Sequence, residues 1–158
     1  MNLRIVAVGK VKEKYLQQGL NDYLSRIKPY ARVELIELVE ARESGRGELA
    51  RQDAMGKEAE TISRHLREDA FRITLSEEGE AMTSIEFARR LESLSIEGKS
   101  KLDFIIGSHL GLDPALKRTA HLLLSLSSMT LPHLLARLIL LEQIYRSFKI
   151  IRGEPYHR

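Results

Sequence analysis

Short apolar runs alternate along this chain with stretches of helical period, and that alternation restricts the fold more than any other feature. Residues 3–8 form a buried strand pattern closed by Gly9, residues 33–39 a second, 71–75 a third and 102–106 a fourth. Between them, Tyr15, Leu16, Leu20, Tyr23, Leu24 and Ile27 recur at helical spacing up to Pro29, and a mostly polar helix is expected from about Glu48 to Arg67, exposed at its start. Ser76 to Gly79 read as a loop leaving the third strand. Thr83 and Glu86 form a capping box that opens a helix to about Leu94. Asp113-Pro114 supplies an N-cap followed by a residue that needs no amide donor, so another helix is expected to about His121, with a short fifth strand in 124–129. Strands and helices alternating at these lengths predict an α/β fold with a mainly parallel sheet and helices on both faces. No linker or repeat divides the 158 residues, so a single domain over 1–158 is expected.

The last helical stretch, about Leu134 to Ile151, departs from an amphipathic pattern. Leu134, Leu138, Leu141, Tyr145 and Phe148 share one face, Leu135, Ile139 and Ile150 point to another, and Leu140, Ile144 and Ile151 to a third. A helix apolar on most sides has to be covered on most sides, which predicts a homodimer.

Composition excludes several chemistries. With no Cys there are no disulfides, no thiolate metal ligands and no covalent thiol mechanism. His65, His109, His121, His133 and His157 have no ligand spacing, so no metal is expected. No apolar stretch nears the roughly 20 residues needed to span a bilayer, and the start lacks a signal-peptide pattern, so no membrane partner and a cytoplasmic location are expected. The net charge is only +3, but it is unevenly placed: residues 1–32 carry seven Lys/Arg against two acids, and 132–158 five against two. If these basic ends meet in space, they offer a surface for phosphates.

In a parallel sheet, ligands gather where strands hand over to loops at their carboxyl ends. Three such loops stand out: the one after Leu75, the one running Ile106-Gly107-Ser108-His109-Leu110-Gly111, and the one at Ser127-Ser128-Met129-Thr130-Leu131. The glycines permit close backbone approach, yet the dinucleotide fingerprint and the phosphate-loop Lys are both lacking. Transfers that depend on alignment rather than a covalent intermediate remain, methyl transfer from a sulfonium donor among them. A binding protein without turnover and an α/β nucleotide enzyme with another cofactor are the alternatives. The chain then ends on Arg152-Gly153-Glu154-Pro155-Tyr156-His157-Arg158, which sets a proton-transfer group, a phenol and a guanidinium after two backbone-restricting residues.

Ala7-Val8-Gly9-Lys10, Phe104-Ile105-Ile106-Gly107, Leu110-Gly111-Leu112, Met129-Thr130-Leu131-Pro132-His133, the segment Arg137 to Arg146 and the terminal Arg152 to His157 together resemble the RlmH family, small bacterial SPOUT-superfamily methyltransferases of large-subunit ribosomal RNA. The likeness covers essentially the whole chain. It implies a homodimer with a C-terminal trefoil knot, S-adenosylmethionine as methyl donor, and N3 of pseudouridine 1915 in helix 69 of 23S rRNA as acceptor, on the assembled 70S ribosome. Carried over by position, the donor site comprises Leu75, Gly107, Leu126, Ser127, Ser128, Met129, Thr130 and Leu131, drawn from the three loops that the sheet rule selects. Ser108 and His109 depart from the family's usual small residues. The acceptor carries an imide proton, so a base is needed. His157 is the candidate, with Tyr156 as hydrogen-bond or stacking partner and Arg158 or Arg152 on phosphate. His133 is expected to be structural, and Arg137 and Arg146 to reach RNA or the other subunit.

Overall fold

The computed structural model describes residues 1–156. Its elements are β1 (Asn2–Val8), α1 (Lys14–Ile27), β2 (Arg32–Leu38), α2 (Glu48–Ser63), β3 (Phe71–Ala81), α3 (Ser84–Ile96), β4 (Lys101–Ile106), α4 (Pro114–Lys117), β5 (Leu122–Ser125) and α5 (His133–Ile151). The five strands form one sheet in the order β2-β1-β4-β3-β5, and every pairing is parallel.

The central strands are apolar on both sides because helices cover both faces. Leu3, Ile5 and Ala7 of β1 and Leu102, Phe104 and Ile106 of β4 pack in one core with α1, α3 and α5. Val6, Val8 and Ile105 face the other way, against Ile62 of α2 and Leu116 of α4. Asp103 is the exception on β4: it is fully buried, and Arg67 satisfies it with Nε and the backbone amide at 2.8 Å each and Nη2 at 2.6 Å. The capping box at Thr83 and Glu86 is formed in both directions.

Four elements differ from the sequence expectation. β5 runs Leu122–Ser125 rather than 124–129, because its pairing with β3 ends at Ser125. β3 continues through Ser76–Gly79 to Ala81, but its register with β5 slips, so that Leu75 and Glu80 both pair with Leu124. The crossing is tight: a Cβ on Gly79 would lie 2.7 Å from the Leu123 and Leu124 backbone, so only glycine fits. α4 is a single turn rather than a helix to His121, because the His121 amide leaves the helix to bond Arg72 O at 2.9 Å and begin β5. α2 stops at Ser63, four residues early, and Ala54, Glu58 and Ile62 make its buried stripe.

Candidate functional site

At the carboxyl ends of β3, β4 and β5 the loops enclose a cavity of about 680 Å³, in the size range of small-molecule sites. Leu75, Gly107, Leu126, Ser127, Met129, Thr130 and Leu131 all line it. Of the expected donor residues, Ser128 alone does not. It is exposed. A second cavity of about 590 Å³ sits by Lys28 and Arg32 at the opposite end of the sheet, away from the glycine-bearing turns.

The wall is shaped by backbone contacts that the sequence makes possible. A Cβ on Gly107 would lie 2.6 Å from Gly111 O and 2.8 Å from Leu112 Cγ, so the turn closes on itself only because residue 107 has no side chain. Gly111 N donates to Ser108 O at 3.0 Å, and Ser108 Oγ accepts from Leu110 N at 3.2 Å. In the neighbouring loop, Ser125 Oγ donates to Ser127 O at 3.0 Å and Ser127 Oγ accepts from Met129 N at 2.9 Å. Leu75, Leu110, Leu112, Leu124 and Leu126 give an apolar floor, and Arg51, Lys117, Glu77 and Glu78 stand around it. That mixture suits an aromatic base with a zwitterionic chain, the chemical outline of an adenosylated amino acid.

His133 opens α5 at the edge of the cavity and bonds Glu40 at 3.0 Å, in keeping with a structural role. Glu40 also lies 3.8 Å from His109. Among the described residues no group of three or more His, Cys, Asp or Glu is arranged to hold a metal ion.

Arg137 does not reach outward. It is fully buried, with Nη1 donating to Gly9 O and Glu37 Oε1 at 2.8 Å each and Nη2 donating to Val8 O. Burial lowers its pKa, and the Glu37 carboxylate opposes that shift. Sequence reasoning missed this clamp, although the spacing of Arg137 to Leu140, Leu141 and Ile144 does put it on the buried stripe of α5.

The tail is docked elsewhere. Tyr156 packs edge-on to Tyr145 with ring centroids 4.9 Å apart, donates to Glu142 Oε1 at 3.2 Å, and lies 3.3 Å from the Tyr23 hydroxyl. Burial first, then the Tyr23 hydrogen bond and the Glu142 charge, push the phenol well above its usual pKa, so it is a neutral hydrogen-bonding group rather than a base. Arg146 pairs with Glu142 at 2.6 Å and covers the Tyr156 ring at 4.7 Å. Glu154 is held by Lys149 and by the Tyr30 hydroxyl at 2.7 Å. The exposed Arg152 guanidinium lies 4.7 Å over the Tyr30 ring. His157 and Arg158, the expected base and phosphate contact, lie outside the described residues. Tyr145 is nine residues along α5 from cavity-lining Ala136, about 14 Å at 1.5 Å per residue, so within one chain Tyr156 stands well away from the cavity.

Comparison with known proteins agrees with this geometry. A family model described as "Predicted SPOUT methyltransferase" matches residues 1–157. Proteins named ribosomal RNA large subunit methyltransferase H from Acetivibrio thermocellus, Bacillus pumilus and Bifidobacterium adolescentis are 49%, 47% and 45% identical to it, each aligned over the full length of both chains. An all-parallel sheet, a loop-built cavity at its carboxyl rim and a match along the whole length converge, and the chain belongs to the SPOUT methyltransferase family.

Proposed function

We propose that this protein is an S-adenosylmethionine-dependent methyltransferase of large-subunit ribosomal RNA, methylating N3 of pseudouridine 1915 in helix 69 of 23S rRNA on the assembled ribosome. The observation that carries the donor assignment is the cavity at the carboxyl rim, where residues from all three loops selected by sequence meet around Gly107. The named relatives support the RNA class. The donor brings a methyl group on a cationic sulfur. The acceptor nitrogen gives up its imide proton as the new N–CH₃ bond forms, and the neutral thioether leaves.

The chain's own part is positioning and proton handling. The apolar floor and the two serine-braced loops hold the donor and exclude water. His157 takes the proton, while Tyr156 supplies a neutral hydroxyl and an aromatic face for the base. The tail acts on the cavity of a second copy, since in its own chain it lies about half the length of α5 away. Ile139 and Ile150 favour that arrangement, for they share a face of α5, are part-exposed, and are not among the described residues packed in either core. The basic ends also meet, because α1 packs on α5. This brings Arg26 and Lys149 each to 5.9 Å from the Tyr145 ring, with Arg152 over the adjoining Tyr30 ring, a surface suited to the phosphates flanking the target.

The test is nucleotide mapping of 23S rRNA from cells with and without the gene, with in vitro methylation of 70S particles from the deletion strain. One N3-methylated pseudouridine that vanishes with the gene and returns with enzyme and donor is expected. A methyl group on a ribose or another base, or unchanged rRNA, overturns the proposal.

A further inference from the structure

Glu58 is an acid on the polar helix α2, yet it is only 4% exposed. Its Oε1 accepts from the Ala41 amide at 3.0 Å and its Oε2 from the Ser108 hydroxyl at 2.8 Å. Among the described residues it forms no ion pair, so a buried carboxylate is balanced here by two neutral donors alone. Ser108 is itself buried and lines the cavity, so this charge stands one hydroxyl behind the wall. Ser108 also fixes the turn by accepting from Leu110 N, and Arg51 of the same helix caps Leu110 O at 3.0 Å.

A buried charge is screened less than an exposed one. Glu77 and Glu78 on the rim are open to solvent, Lys117 pairs with Glu78 at 3.4 Å, and Glu40 is engaged by His133. Arg51 opposes Glu58, but it is exposed, so its charge is screened more strongly than that of the buried carboxylate. The buried carboxylate therefore favours a cation in the cavity, and the sulfonium donor is a cation while its thioether product is neutral.

We propose that Glu58, acting through Ser108, is a positioning residue that makes the pocket select the charged methyl donor over the spent product. This rests on the donor-pocket reading above. Its test is calorimetry with S-adenosylmethionine and with S-adenosylhomocysteine on the intact protein and on Glu58→Gln. That change keeps the shape and an acceptor for the Ala41 amide, turns the Ser108 hydroxyl from donor to acceptor, and removes the charge. The ratio of donor to product affinity should fall about tenfold in the variant, through weaker donor binding with product binding little changed. A role limited to holding the loop would weaken both ligands alike, and an unchanged ratio overturns the inference while leaving the donor site standing. If the unaltered protein binds neither ligand, the donor reading itself fails. Should Glu58→Gln not fold, the double variant Glu58→Gln/Ser108→Ala keeps an acceptor for the Ala41 amide and leaves no hydroxyl facing the new side-chain NH2, and the same fall in ratio is required of it.

Discussion

Single residues carry the two sharpest consequences. Gly107→Ala forces a Cβ into the space held by Gly111 O, so the loop must open to accept it. We expect at least a tenfold loss of S-adenosylmethionine affinity by calorimetry, with circular dichroism unchanged, since the strand before it does not depend on that turn. Arg137→Ala orphans the Gly9 and Val8 carbonyls and leaves Glu37 without its cation. Chemical denaturation should report a loss of about 3–5 kcal/mol, the usual cost of breaking a buried pair. Gly107 was legible in part: the sheet rule selects its loop, a strand-glycine turn is a weak signal alone, and the resemblance singles out the residue. Arg137 was not, because a lone cation in a helix ordinarily faces water, and only the fold brings two strand-end carbonyls over it. Glu58 was hidden for the same reason: on a helix of mixed polar composition nothing marks one carboxylate as buried until the loop after β4 presents Ser108.

At the scale of elements, the strands were readable because a parallel sheet buries both faces, leaving apolar runs that few other structures require. β3 was cut short in that reading because Glu77-Glu78-Gly79-Glu80 looks like a solvated turn, whereas the pairing partner β5 extends it by a slipped register. The length of α4 could not be inferred, since its end is set by the His121 amide reaching Arg72 on another strand. The tail is an element in its own right, pinned by Glu154 to Lys149 and Tyr30. Lys149 first, then Tyr30, lowers the Glu154 pKa, and Glu154 in turn raises that of Lys149. The depressed carboxyl contributes to docking above its ordinary value near 4.3 and loses that contribution as pH falls through the lowered pKa; the raised ammonium contributes below its ordinary value near 10.4 and loses it as pH rises through the raised one. Docking should therefore persist across neutral pH and fail in strong acid. NMR shifts of the Tyr156 ring would follow it, and Glu154→Gln should release the tail already at pH 7.

At the scale of the molecule, the apolar outer face of α5 and the distance between tail and cavity point the same way. Light scattering at micromolar concentration should give a dimer of the 18.0 kDa chain, and Ile139→Glu/Ile150→Glu should give monomers with methyl transfer lost. No described helix is long and apolar enough to cross a membrane. The sequence already hinted at a partner through a helix apolar on several sides. It did not show that the tail lies remote from its own cavity, because that depends on which end of α5 each feature occupies once α1 has packed against it. The most direct test is co-expression of Gly107→Ala with a chain lacking Tyr156 to Arg158, assayed at a donor concentration too low to fill the weakened Gly107→Ala cavity, so that neither variant is active alone. If cavity and tail come from opposite subunits, half of the dimers are mixed and each holds one intact site, so activity should return to about a quarter of the unaltered level. Purified mixed dimers with no activity would contradict the account, because a site built within one chain has no intact copy in such a pair.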